Sequence, residues 1–246
     1  MKDLTIEVER VARRYGRRWA LADVSFHVPP ATVMMVAGRN GAGKSTLFRV
    51  LSTAIRPDRG RATVGGFDVV RQREDVRKLT AILSHANYLY ESLTAKENLF
   101  IVADHLGIRR DGVMAALEQV NLAARANDTV STFSAGMRKR VSFARILLQE
   151  PRFVLLDEPY GALDPPGFDL VDEVIGELKR RGTTILMATH NWERSSRLAD
   201  VALVLDQGKV IWQGPASEAL DHEPHAAPAQ PRSAGILPAA TLASSR

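Results

Sequence analysis

GRNGAGKST, from Gly38 to Thr46, restricts what this chain can fold into more than any other stretch. It matches the pattern G-x-x-x-x-G-K-[ST]. Before it runs TVMMVA, Thr32 to Ala37, an almost unbroken apolar run of strand length. Such a run marks a strand buried on both faces. After it, Leu47, Val50, Leu51, Ala54 and Ile55 share one helical stripe, so a helix is expected over 44–55. The unit is strand, glycine loop, helix. Glycines let successive backbone N–H groups curl around an anion, and the helix N-terminus adds the positive end of its dipole. The expected ligand is the phosphate chain of a nucleotide, cradled by Gly38, Arg39, Asn40, Gly41, Ala42, Gly43 and Thr46. Lys44 is expected to reach its β- and γ-phosphates and Ser45 to hold Mg2+.

The rest of the chain supplies the matching architecture. Strands are expected at Thr5 to Val11, Val24 to Val28, Phe153 to Leu156 and Thr183 to Ala188, and an amphipathic helix at Phe168 to Leu178. Between about 95 and 150 helical patterns take over, at Ala95 to Leu106, Asp111 to Val120 and Ala135 to Gln149, which reads as a helical insertion. Alternating strands and helices argue for an α/β fold with a mainly parallel sheet. One domain is expected over residues 1–220. From Asp221 to Arg246 the chain is proline-rich and aperiodic, and too little apolar surface is available there to offset ordering entropy, so 221–246 is expected to be a disordered tail.

Composition excludes several classes. The chain has no cysteine, which rules out disulfides and thiolate metal sites. No apolar run approaches the roughly 20 residues that span a bilayer, so any membrane role is expected to need a partner. The net charge is +5 and five arginines crowd between Arg10 and Arg18. Without a longer basic stripe and interleaved aromatics this reads as a solvated face, and no nucleic-acid partner is expected.

Further candidates lie at strand ends. FVLLDE, Phe153 to Glu158, is a buried strand that ends in two carboxylates. Asp157 is the candidate for Mg2+, and Glu158 the candidate to orient or deprotonate attacking water. His190 follows the strand ending at Ala188. Ligands in parallel sheets sit beyond the carboxyl ends of the strands, so His190 is placed to reach a γ-phosphate. Ser134-Ala135-Gly136 precedes a helix. A serine hydroxyl and glycine N–H groups there serve equally as a plain N-cap or as an anion site.

Taken together, GRNGAGKST, FSAGM with its trailing RKRVSFAR, FVLLDEP, the GALD turn from Gly161 to Asp164, and His190 resemble the nucleotide-binding subunits of ATP-binding-cassette (ABC) transporters. The resemblance runs from about Thr5 to Gly214. It implies a P-loop NTPase with a RecA-like, mainly parallel sheet, an N-terminal antiparallel β subdomain and the helical insertion. It implies ATP and Mg2+ as ligands, ATP hydrolysis with Lys44, Glu158 and His190 as catalytic residues, and Tyr15 stacked on adenine. It also implies two subunits paired head to tail, with Ser134 and Gly136 closing over the partner's ATP and Asp164 at the seam. A separate transmembrane permease would receive the work, near Tyr88 to Glu97 with Leu89, Tyr90 and Leu93 exposed in a groove, at the cytoplasmic face of an inner membrane. A soluble ABC ATPase acting on DNA or ribosomes is the alternative of another class, disfavoured by the lack of coiled-coil insertions or a second cassette.

The sequence departs from the family pattern where a glutamine usually precedes L-T-x-x-E-N-L. His85 takes that place as a candidate near the metal, although Mg2+ prefers oxygen ligands to an imidazole. The S-H-x-x-x-L-Y-x-x-L-T-A-x-E-N-L and S-A-G-M-R-x-R patterns resemble the heme-exporter ATPases of cytochrome c maturation (CcmA-type). Drug-, lipid- and polysaccharide-export ATPases share much of both.

Overall fold

The uninterrupted apolar runs form the centre of a parallel sheet. In the computed structural model, which describes residues 4–84 and 86–222, strands β3 (Val33–Ala37), β7 (Phe153–Asp157) and β8 (Thr184–Ala188) are buried at every residue. β3 pairs parallel with β8, and β8 with β7. β6 (Thr80–Leu83) adds beside β7 and β9 (Val201–Asp206) beside β3, again parallel. β10 (Lys209–Pro215) closes the edge antiparallel to β9, giving the order β10-β9-β3-β8-β7-β6. Alternate side chains enter different cores. Val33 joins one cluster and Met34 and Val36 the other, as the two-residue period of a strand requires. With both faces covered, no polar residue interrupts the run.

The second sheet is antiparallel, in the order β2-β1-β4-β5, from β1 (Ile6–Tyr15), β2 (Arg18–Val28), β4 (Arg59–Val64) and β5 (Phe67–Asp68). Together with helix α1 (Lys44–Leu51) it covers one face of the parallel sheet. Helices α3 (Ala95–Leu106), α4 (Gly112–Gln119), α5 (Ala135–Gln149) and α6 (Pro165–Arg180) cover the other. Helix α2 (Arg73–Leu79) leads into β6, and α7 (Trp192–Ser196) follows β8. This is the expected P-loop NTPase architecture, with its antiparallel subdomain and helices between β6 and β7.

Local chemistry moved several boundaries. Helix α1 stops at Leu51 rather than Ile55, because Thr53 adopts a left-handed φ of 66° and donates its N–H to Val50 O. Helix α6 starts at Pro165 rather than Phe168. Asp164 caps it by accepting from Gly167 N at 3.2 Å, and Pro165 supplies a φ suited to the first turn. β1 and β2 run on to Tyr15 and from Arg18, because a tight turn at Gly16 (φ 57°) pairs those two residues. A capping box, Thr94 with Glu97, starts α3 where expected. The short helix Ala216–His222 carries Asp221 and His222, which the sequence assigned to the tail, and His222 stacks on Trp212 at 4.4 Å. The remainder of that tail, from 223, lies outside the described residues, as does His85.

Candidate functional site

The parallel strands bring three loops to one edge. β3 ends at Ala37 before the glycine loop, β7 ends at Asp157 before Glu158, and β8 ends at Ala188 before Thr189 and His190. The three meet around a hollow of about 510 Å3 lined by Tyr15, Arg18, Ala20, Asn40 to Thr46, Asp157, Glu158, Gly161 and His190. Tyr15, the loop, both carboxylates and the histidine are therefore gathered into one site. Gly38 and Arg39 belong to the same loop without lining the hollow. A larger depression, about 650 Å3, lies on the antiparallel sheet between Arg10, Trp19 and Arg59 and holds none of the expected site residues.

Close packing dictates two of the loop glycines. A Cβ on Gly43 (φ 113°) would lie 2.4 Å from Ala20 O, and one on Gly38 (φ 144°) 2.2 Å from Leu205 O. Both are backbone atoms that cannot step aside. These glycines thus seat the loop between β2 and β9, a reason distinct from room for phosphate. Helix α1 then begins at Gly43 without a side-chain cap, so its first N–H groups are not claimed by a capping oxygen. Such an end suits an anion. Lys44 is buried, and its Nζ donates to Gly38 O at 2.6 Å and Arg39 O at 3.2 Å, spanning its own loop. Burial pushes this ammonium below the usual lysine range, with the Glu158 and Asp157 carboxylates opposing the shift.

Glu158 sits in a left-handed conformation, φ 53°, which a residue with a Cβ rarely adopts. Its N–H donates to Ala188 O at 2.8 Å, locking the turn to β8. The N–H of His190 approaches Glu158 Oε2 at 3.4 Å, and His190 Nε2 lies 3.2 Å from Oε1. The second contact is close in distance but not aligned as a hydrogen bond, for Oε1 is buried without a hydrogen-bond partner. A buried acceptor without a donor is costly and fits an oxygen that works on a water or a substrate. The Tyr15 ring is half exposed and has the Arg13 guanidinium 5.3 Å from its centre.

Mg2+ finds suitable donors here. Among the described residues, no group of three or more His, Cys, Asp or Glu side chains could hold a metal alone. Ser45 and Asp157 nonetheless border the same hollow with hard oxygen donors. Mg2+ is usually held by one or two protein oxygens, with water and substrate phosphates completing its shell. The donor set fits the ion.

Three expected site residues are elsewhere. Ser134 caps α5, accepting from Met137 N at 3.2 Å, and Asp164 caps α6. Gly136 packs against the 161–164 turn, where a Cβ would meet Ala162 O at 3.2 Å. None of the three lines the hollow around the glycine loop of this chain. Leu89 and Leu93, expected to be exposed, are half-buried, and Leu89 packs on the core. Tyr88 and Tyr90 are the exposed large hydrophobic residues of that segment. Asn98 holds it in place, its side chain accepting from Tyr90 N and donating to Tyr90 O and Thr94 O.

Two charged residues at the site were not singled out from the sequence. Arg18 lines the hollow beside Gly41; it stood in the arginine cluster read as a solvated face. Lys139 donates from Nζ to Glu158 O at 2.6 Å and Gly161 O at 2.7 Å. It is hidden in the sequence within the basic run RKR, and only the packing of α5 against the end of β7 separates it from its neighbours.

The family description "ABC transporter" matches residues 21–161. The daunorubicin resistance ATP-binding protein DrrA3 of Streptomyces coeruleorubidus is 42% identical over 222 residues, covering 89% of this chain and 70% of that protein. Nod factor export ATP-binding protein I of Rhizobium etli is 34% identical over 220 residues, covering 88% and 70%. Among solved structures, an ATP-binding subunit of an ABC transporter superposes with a TM-score of 0.81 at 28% identity, covering 88% of this chain and 92% of that one.

Proposed function

This chain belongs to the ABC transporter family and is an ATPase, and on that premise we propose that it powers an exporter through separate transmembrane subunits. The observation that carries the proposal is the shared hollow, which gathers the glycine loop, Asp157, Glu158 and His190 at one sheet edge. Among the described residues no helix is long and apolar enough to cross a membrane, which suits a peripheral subunit at the cytoplasmic face.

In this reading the N–H groups of residues 38–46 and the α1 N-terminus bind the phosphates, with Lys44 turning from its loop carbonyls toward them. Tyr15 stacks on the adenine. Ser45 and Asp157 hold Mg2+, which supplies charge neutralisation of the phosphate oxygens when bound. Glu158 accepts the proton of the attacking water through its carboxylate, and His190 contacts the γ-phosphate. Charge-assisted contacts of this kind are strong, and hydrolysis removes them. A second copy completes each site, its Ser134 and Gly136 lying over the nucleotide held here. Neither Ser134 nor Gly136 lines this chain's own hollow, which supports a role toward a partner.

Cargo is read from relatives, since an ATPase subunit does not touch it. The relatives named above are called daunorubicin resistance and Nod factor export proteins, and neither name supports heme. The patterns that suggested a heme exporter are shared with other export ATPases. A drug-like or Nod-factor-like cargo therefore replaces heme in our reading. Disrupting the gene in its source organism tests this. Increased sensitivity to daunorubicin-type compounds with c-type cytochromes intact supports it, and loss of c-type cytochromes alone refutes it. Co-purification with a polytopic membrane protein supports the transporter reading, whereas turnover stimulated by DNA or ribosomes overturns it.

A further inference from the structure

Lys139 is a buried-end ammonium that the proposed chemistry leaves without a task. Its neighbours on α5 are engaged elsewhere: Arg138 donates to Val130 O and Ser131 O and lies 3.4 Å from Glu91, and Arg140 is 3.8 Å from Asp164. Lys139 reaches the end of β7 and bonds Glu158 O and Gly161 O. These carbonyls bracket one turn, in which Gly161 N also donates to Glu158 O at 3.2 Å.

The turn is where Glu158 holds its left-handed backbone. Two peptide planes fix that conformation. The plane before Glu158 is anchored by its N–H on Ala188 O. The plane after it joins Pro159, which has no N–H to anchor, so only its carbonyl can be held. A charged donor at 2.6 Å holds it, and hydrogen bonds to charged groups are the stronger kind.

We propose that Lys139 is a positioning residue for hydrolysis: bonded to Glu158 O and Gly161 O, it fixes the peptide after Glu158 and so aims the Glu158 carboxylate, and it transmits movement of the helix capped by Ser134 to that carboxylate. The helix that would touch the partner's nucleotide is thereby tied to the base serving this chain's own. The inference rests on Glu158 acting as the base.

Burial pulls the Lys139 ammonium down to about 8, with the Glu158 and Asp157 carboxylates opposing. Other charged or titratable groups around it are Arg138 and Arg140 on its own helix, Asp164 at the start of α6, and His190 and Lys44 across Glu158; the facing segment from Leu83 to Asn87 presents Ser84 and Asn87, with His85 outside the described residues. A lysine with a lowered value is charged below it and loses its charge as pH rises through it. The clamp should therefore weaken above about pH 8.

The test measures kcat and KM for MgATP, across pH, in Lys139→Met, Lys139→Arg and Glu158→Gln, with thermal unfolding of each. Lys139→Met should lower kcat about 10- to 100-fold, the worth of a charged hydrogen bond, with KM little changed. Lys139→Arg should restore most of kcat and abolish the alkaline fall expected of the parent, since a guanidinium keeps its charge. Parent-like kcat in Lys139→Met overturns the proposal, provided Glu158→Gln is inactive. Full turnover in Glu158→Gln instead overturns the base assignment itself. Should Lys139→Met not fold, Lys139→Arg decides alone: an alkaline limb identical to the parent's refutes the role.

Discussion

Replacing Glu158 by glutamine changes one property of the site and leaves its shape. The amide has the size of the carboxylate and keeps an oxygen for the 3.4 Å approach of His190 N. At the Oε1 position no hydrogen bond is lost, because that atom has none. Backbone anchors at Ala188 O and Lys139 Nζ do not involve the side chain. What disappears is the proton acceptor. Losing a general base costs about 10²–10⁴ in turnover, or about 2.7–5.4 kcal/mol of transition-state stabilisation. Glu158→Gln should show that fall in single-turnover phosphate release, with equilibrium binding of MgATP retained. Turnover within about threefold of the parent, less than 1 kcal/mol, would remove Glu158 from the chemistry and leave its left-handed backbone without a catalytic reason.

Three further outcomes follow from named contacts. Gly43→Ala places a Cβ 2.4 Å from Ala20 O at a φ of 113°; strain of about 1–3 kcal/mol should lower the denaturation midpoint and weaken ATP binding together, and an unchanged midpoint contradicts the packing argument. Tyr160→Phe keeps the ring's edge contact with Phe168 but deletes the hydroxyl that donates to Asp172 Oδ1 at 2.7 Å; urea unfolding should show a loss of about 1–3 kcal/mol, and no loss would mean the Arg194 pairing of Asp172 suffices. Ser134→Arg should abolish ATP-dependent pairing measured by sedimentation while single-subunit nucleotide binding persists; pairing at parental strength would refute the role of the α5 N-terminus toward a partner.

Much of this site is legible in the sequence because parallel strands must be buried on both faces. VMMVA and FVLL are therefore unbroken apolar runs, and the residues just past their ends are placed at the functional edge by the fold itself. What the sequence hides is contact across distance. Nothing in RKR distinguishes Lys139 from the arginines beside it, and its partners are 19 and 22 residues away. The helix limits at Thr53 and Pro165 turn on one φ angle and one cap, features that an apolar stripe does not encode. The loop glycines were legible as glycines needed for a loop, but the clash with Ala20 O and Leu205 O appears only when the antiparallel sheet and β9 are in place. Ser134 and Asp164 act as helix caps within one chain, and the role proposed for them toward a second copy is not something a capping pattern encodes.

That role is open to a direct measurement, because the chain contains no cysteine. Two singly substituted proteins, Asn40→Cys and Ser134→Cys, carrying different tags, are mixed with a non-hydrolysable ATP analogue and a short thiol cross-linker. The account predicts a covalent heterodimer joining residue 40 of one chain to residue 134 of the other, formed only when the analogue is present. A mixture that stays monomeric, or cross-links to the same extent without nucleotide, would contradict a catalytic pocket shared between two molecules.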